Sequence, residues 1–435
     1  MSIYSRLMFL IAVLLFCIPL FSQIRVEVTD GAIAEYNVAV SPVFTEADAE
    51  KAIANEISQS MEMVLNLTGY FNVLNKKSFL EKPETPVGSI EFKNWLNVGA
   101  NGLIKGFIKS ENESMELDLY FFDVANGKQL LHRKYKVSQA TAKKASHRFI
   151  HDMVQLLTGE ELLFMFAKVA FVERFSDGRY NLVVMDFDGS NREIIYSSKK
   201  IILLPEWSAD GKRIFFTSYE KNNPNLYAID VRSKRISLVS GYEGLNTSAS
   251  AHPDNKTIAL RLSKDGNAEI YLLDTSTGKL TRMTKNMAID TAPSFSPDGK
   301  EIAFVSNRSG NPHIYRLFVD NPSRVERLTT QGRYNQDPCY SPDGKYIAFT
   351  GRDEFFVYDI FLFEVSSRVI SRVTQNQGKN ETPSFSPDSR LLVFSSDRTG
   401  RTSLFLSNVR GDRQVHVYSG QGEAITPTWS PEVVK

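Results

Sequence analysis

FSPDGKEIAF, residues 295–304, carries a phrase that returns along the chain. Variants of its first half stand as WSADGK from Trp207, AHPDNK from Ala251, YSPDGK from Tyr340, FSPDSR from Phe385 and WSPEVVK from Trp429. Anchored on the second residue, the copies fall at Ser208, His252, Ser296, Ser341, Ser386 and Ser430, at intervals of 44, 44, 45, 45 and 44. Each interval holds four short β-patterned runs separated by turn signals, as in PSFS, EIAFVSN, HIYRLFV and RVERLTT between Pro293 and Thr330. A unit of ~40–45 residues with four strands is the signature of a β-propeller blade, stacked radially so that neighbouring sheets bury each other's faces. Six anchors imply six blades.

The turn chemistry agrees with this reading. In Pro297-Asp298-Gly299 the proline sets φ, the aspartate bonds locally and the glycine takes positive φ to close a tight hairpin, so these aspartates read as punctuation. Fourteen residues after the anchors stand Asn222, Gly266, Gly310, Phe355 and Gly400, with Gly178 in phase one repeat earlier. Gly and Asn tolerate left-handed conformations, which marks the tip of the next hairpin. Phe355 departs from the rule, and beside Phe356 it signals either a rebuilt turn or an exposed aromatic. Three residues before the anchors stand Pro205, Ala249, Pro293, Pro338, Pro383 and Pro427. Proline has no ladder donor and is tolerated where a strand edge is unpaired, which places this strand innermost, lining a central channel. Lys168–Glu173 opens a blade that lacks its first strand. The last copy therefore closes the ring by pairing Thr426–Trp429 with it.

Residues 23–160 show no repeat and read as an α/β domain. Strands are expected at Ile24–Thr29, Tyr36–Val40, Gly102–Ile108, Met115–Phe122 and Gln129–Val137. A helical stripe of Ala49, Ile53, Ile57, Met61, Val64 and Leu65 ends at Gly69, a short helix spans Glu91–Leu96, and a last helix runs from Gln139 to Leu157. The fold class is thus an N-terminal α/β domain followed by an all-β six-bladed propeller over 161–435.

Residues 1–22 precede both. Arg6 is followed by fourteen residues, Leu7 to Leu20, that are apolar apart from Pro19. That length suits a secretory signal better than a membrane span, and cleavage is expected after Ser22. The 435 residues hold 51 Lys+Arg against 50 Asp+Glu, a net charge of +1, so no global basic field favours nucleic acid. Two cysteines, Cys17 and Cys339, exclude a disulfide framework and a multi-cysteine zinc site.

The search for chemistry finds little. No Gly-x-Ser-x-Gly elbow occurs, and the sialidase-type turn does not fit because Asp and Gly adjoin in the repeat. His147 and His151 have the i, i+4 spacing of a metal pair, yet no acidic third ligand stands out, and they read as surface or boundary histidines. No catalytic residue, cofactor or metal is assigned. What remains is a surface. Six residues before the anchors the loops entering the inner strands carry Ile202, Asn246, Asp290, Asn335, Asn380 and Ala424. Four consecutive blades are polar there, and the other two, with Leu203 and Ile425, form an apolar lip. Such an asymmetric rim suits a protein or peptide partner. The alternative is that Asn and Asp merely cap turns.

Taken together, the export signal, the opening strand IRVEVTDG from Ile24, the α/β domain and the repeat N-x-x-P-x-F-S-P-D-G-K-x-I-A-F resemble the TolB family of the Tol-Pal system. Asn335–Phe349 and Asn380–Phe394 show that repeat well. The resemblance implies a non-enzymatic, monomeric periplasmic adaptor that supports outer-membrane integrity and constriction at division. It would bind the peptidoglycan-associated lipoprotein Pal through the propeller mouth and TolA through its N-terminal segment, with outer-membrane proteins as further partners. On matching positions the Pal contacts would lie among Asn246, Thr247, Ser248, Asp290, Thr291, Asn335, Gln336, Asp337, Asn380, Glu381 and Thr382. The TolA segment would be Gln23, Ile24, Arg25, Val26, Glu27, Val28, Thr29, Asp30 and Gly31, whose alternation suits strand addition to a partner sheet, although it could equally pair inside its own domain. His252, Ala251, Ala249 and Phe355 depart from the family pattern and put the outlines of blades three and five in question. An exported propeller hydrolase or lyase, or a small-ligand-binding propeller, are the rival readings.

Overall fold

The computed structural model describes residues 36–111, 114–352, 356–418 and 420–431. These form two compact units. One five-stranded sheet is made of β1 (Tyr36–Val40), β2 (Phe71–Val73), β3 (Gly102–Glu111), β4 (Ser114–Asp123) and β5 (Lys128–Val137), in the order β2-β1-β3-β4-β5. β1 runs parallel to β3, with Val38 opposite Gly102, while β3, β4 and β5 form an antiparallel meander. Helices α1 (Lys51–Thr68), α2 (Phe92–Asn97) and α3 (Gln139–Thr158) accompany this sheet.

Their limits follow from end chemistry. α3 begins at Ser138, whose backbone N–H donates to Thr141 Oγ1 at 2.8 Å, and stops at Gly159, which takes φ 77°. Between those ends Phe149, Ile150, Met153, Val154 and Leu157 recur at helical spacing and are buried, and Ile53, Ile57, Met61, Val64 and Leu65 do the same on α1. The three-residue β2 is too short to leave an alternating pattern, and sequence reasoning missed it. The expected strand at Ile24–Thr29 lies outside the described residues.

From Leu162 onward the chain forms six four-stranded sheets. Blade one consists of Lys168–Arg174, Tyr180–Asp186 and Glu193–Ser198, and its innermost strand is the chain's last, Glu423–Trp429. The closing strand pairs antiparallel, with Ile425 opposite Val172 and Trp429 opposite Val169. The other innermost strands are Ile202–Trp207, Asn246–Ala251, Asp290–Phe295, Tyr334–Tyr340 and Asn380–Phe385, opening blades two to six. Apolar cores lie between adjacent blades: Ala259 and Ile270 of blade three meet Phe295, Ile302, Phe304 and Tyr315 of blade four. Trp207 Nε1 of blade two donates to the carbonyl of Thr428 at 3.2 Å, tying the first full blade to the closing strand.

The repeated phrase is a braced turn. Ser296 Oγ donates to Asp298 Oδ1 at 2.7 Å and accepts from Glu301 N–H at 2.9 Å, while Asp298 accepts from Lys300 N–H at 3.1 Å. Ser208 with Asp210, Ser341 with Asp343 and Ser386 with Asp388 repeat the geometry. In blade three His252 stands in for the serine: its Nδ1 accepts from Asp254 N–H at 3.1 Å, and the four-stranded sheet is regular. The hairpin column also behaves as expected at Asn222, Gly266, Gly310, Gly400 and Gly178, all with positive φ. Phe355 lies outside the described residues. Its neighbour Phe356 sits at φ 62° and is 59% exposed, with the guanidinium of Arg352 4.9 Å from its ring.

Candidate functional site

The innermost strands line the channel with a backbone irregularity that no residue type in the repeat announces directly. Each carries one residue in the left-handed region, four before the anchor: Leu204 (φ 53°), Ser248 (55°), Ala292 (48°), Asp337 (51°), Thr382 (56°) and Thr426 (51°). At this point every inner ladder slips, for instance between Thr291 and Ser294 against Val305 and Ala303. None is glycine, so each costs on the order of 1–3 kcal/mol that ring packing must offset. The only sequence trace is the residue that follows, proline in five of the six blades, which has no N–H to leave unpaired in the bulge.

Beyond the bulge the blades are stitched around the axis. Phe295 N–H donates to Ser250 Oγ at 3.1 Å, Tyr340 N–H to Ser294 Oγ at 3.0 Å and Trp429 N–H to Ser384 Oγ at 3.0 Å, each bond passing from one blade to the next. Blade five carries Cys339 in this column, a free thiol that burial pushes up to about 12. Blade two carries Glu206, which accepts from Thr428 Oγ1 at 3.1 Å. Burial drives its carboxyl up to about 7, against that hydrogen bond.

The inner strands enclose a cavity of about 490 Å³, lined among others by Glu206, Ser248, Arg261, Thr291, Gln336 and Asp337. Its walls differ in charge. On the blade-five side Asp337 is pushed up to about 7, by burial first and then by Glu381; Glu381 is itself raised by burial and by Asp397, against Lys379. On the blade-three side Arg261 donates through Nε to Thr247 Oγ1 at 2.7 Å and through Nη1 to Thr291 Oγ1 at 2.9 Å.

The nominated rim residues separate into two groups. Ser248, Thr291, Gln336, Asp337 and Thr382 line the cavity, with Glu381 beside Asp337. Asn246, Asp290, Asn335 and Asn380 form the other group: all four side chains are buried. A buried amide or carboxylate calls for partners, and these side chains find them within the propeller's own loops and strands, except that Asp290 Oδ1 accepts no hydrogen bond. Asn246 Oδ1 accepts from Tyr242 N–H at 2.9 Å, Asp290 Oδ2 from Arg308 Nη2 at 2.9 Å, and Asn380 Oδ1 from Arg398 Nη2 at 2.6 Å; Asn335 Nδ2 donates to the Gln331 carbonyl at 3.0 Å. Thr247 is also buried, behind Arg261. In the apolar lip Ile202 and Ala424 are buried, and Leu203 and Ile425 are partly buried, Ile425 against the core between blades one and two, so the expected lip is narrower than its sequence.

Other expectations resolve as follows. His147 and His151, expected at the surface or its boundary, are buried on α3, because they fall on the helix's apolar stripe. Among the described residues no cluster of three or more His, Cys, Asp or Glu could hold a metal ion. No described helix is long and apolar enough to cross a membrane. The segment Gln23–Gly31 and the signal at residues 1–22 lie outside the described residues.

Known proteins share both modules. Residues 24–130 match the TolB amino-terminal domain and residues 154–433 the TolB beta propeller domain. The chain is 34% identical over 263 residues to the Tol-Pal system protein TolB of Desulfosudis oleivorans, covering 58% of this chain and 59% of the relative. It is 35% identical over 193 residues to that of Anaeromyxobacter dehalogenans, covering 44% of each. The matches thus span about half the length of these curated relatives. The crystal structure of TolB from Acinetobacter baumannii superposes with a TM-score of 0.78 at 29% identity, covering 91% of this chain and 97% of that one. With the two modules matched in order and the propeller alone accounting for more than half of the residues, the chain belongs to the TolB family.

Proposed function

We propose that the protein is a periplasmic adaptor of the Tol-Pal system, acting by binding and not by bond-making. Its propeller mouth receives the lipoprotein Pal, and its N-terminal segment Gln23–Gly31 is offered to TolA, so that the chain links an outer-membrane lipoprotein to an inner-membrane partner and supports envelope constriction. The observation that carries this reading is the asymmetric mouth on a family-matched ring: around one cavity stand the carboxyl group of Asp337, with Glu381 beside it, the guanidinium of Arg261 and the apolar side chains of Leu204 and Ile289, the latter exposed. Charge asymmetry with apolar contact is what orients a protein partner.

The contacts then belong to Ser248, Thr291, Gln336, Asp337, Glu381 and Thr382. Asn246, Asp290, Asn335 and Asn380 hold the loops from beneath, and Thr247 holds Arg261. Titration calorimetry of the mature chain, from Gln23, against lipid-free Pal tests this. Gln336→Arg should abolish binding by bulk and charge without unfolding the blade, and Asp290→Ala should weaken it through loop distortion. Deleting Gln23–Gly31 should leave Pal binding in place and remove TolA binding. Full Pal affinity in Gln336→Arg would reject the mouth as the site, and turnover of peptide, glycan or lactone substrates would favour the enzyme reading instead.

A further inference from the structure

The second strand of each blade carries one residue directly opposite the position five before the anchor. Around the ring these are Val172, Thr217, Arg261, Val305, Thr350 and Ser395. Five are small, and only blade three carries a long cation. Its guanidinium is committed to two neutral hydroxyls, on Thr247 and Thr291, and forms no ion pair among the described residues. Arg has five N–H donors, so donors remain unused on the cavity side. A half-buried cation without a counter-ion is costly, and burial pulls its pKa down. Pairing with threonines also fixes the plane of the fork, which is how a bidentate receptor is preorganised. Blade six lies three steps around the ring, and its equivalent first-strand residue is Glu381, next to Asp337. Arg261 of blade three and Asp337 of blade five thus line the same cavity, with Glu381 beside Asp337.

We propose that Arg261 is the receptor for a carboxylate carried by the protein segment that enters the mouth, with Asp337 and Glu381 orienting the segment by repelling that carboxylate from the blade-five side. This rests on the reading of the mouth as a partner site. In calorimetry with lipid-free Pal, Arg261→Gln should lose at least tenfold in affinity, Arg261→Lys should recover part of it, and Thr291→Val, which keeps the charge but removes one hydroxyl that orients the fork, should lose less than Arg261→Gln. Neutralising the acidic side chains of Pal one at a time, and separately shortening its C-terminus, distinguishes a side-chain carboxylate from a terminal one: the true partner's change costs affinity in the native chain and nothing further in Arg261→Gln. Equal Pal affinity in Arg261→Gln and the native chain overturns the proposal and leaves the mouth reading standing. If the native chain binds no Pal, the mouth reading fails and a second measurement decides. The Nε–Hε resonance of Arg261, assigned through Arg261→Lys, should then shift saturably on titration with succinate. A resonance unmoved by tens of millimolar succinate also overturns the proposal.

Discussion

Glu206→Gln provides a direct reading of the energetics inside the ring. Glu206 occupies a column filled elsewhere by Ser250, Ser294, Cys339, Ser384 and Thr428, small groups that stitch blades or tolerate burial. Its carboxyl stands at about 7 in the fold against an ordinary 4.5, because burial penalises the charged form more than the Thr428 hydrogen bond favours it. A raised carboxyl pKa means that the folded chain holds its proton more tightly than the unfolded chain. The associated stability is therefore complete below about pH 4.5, declines as pH rises, and is gone above about pH 7. The size of the shift, at ~1.4 kcal/mol per pH unit, sets a ceiling of about 3 kcal/mol, and water in the cavity reduces this to about 1–2 kcal/mol. Gln, neutral at every pH, should make the propeller about 1–2 kcal/mol more stable than the native chain at pH 8 and flatten this part of its pH dependence. The assay is urea unfolding at pH 5 and pH 8, followed by the fluorescence of Trp207 and Trp429 at the closure. Asp337, at about 7 from 3.8, titrates in the same window, so Asp337→Asn should flatten a further part of the slope. Identical pH profiles for native and Glu206→Gln chains would show that the carboxylate is fully hydrated in the channel, and the burial argument would be wrong.

Three further outcomes follow from the geometry. Trp429→Ala removes a buried ring from the closing strand and should cost about 3–5 kcal/mol, with proteolysis of the chain after residue 416 as the visible sign; unchanged protease resistance would contradict the closure. Ser296→Ala deletes the hydroxyl that both donates to Asp298 and accepts from Glu301 N–H, and should lower stability by about 1–2 kcal/mol in thermal unfolding, whereas Lys300→Ala on the same turn should be near neutral. Ala292→Gly relieves a left-handed non-glycine residue and should be neutral or stabilising, while Ala303→Gly in the adjoining regular strand should cost about 0.5–1 kcal/mol; equal losses at the two sites would mean that the bulge carries no strain.

The architecture was legible in the residues. A serine, or once a histidine, every 44 or 45 positions, a Pro-Asp-Gly-like turn behind it and a Gly or Asn fourteen residues on in most copies are local signals, each tied to one hairpin, and counting them yields six blades and the closing strand. The N-terminal helices were equally plain, since Ile53, Ile57 and Met61 or Phe149, Met153 and Leu157 mark a face whatever lies against it. The site was less legible. That Asn246 and Asn380 are buried, that Thr382 and Thr426 take left-handed conformations, and that Arg261 and Asp337 line one cavity depend on residues far away in sequence and on the ring being shut. Turn and strand preferences act over a few neighbouring residues and can be read along the chain. Burial, charge pairing and backbone strain at the channel are set by blades meeting around an axis, and no single repeat contains that information.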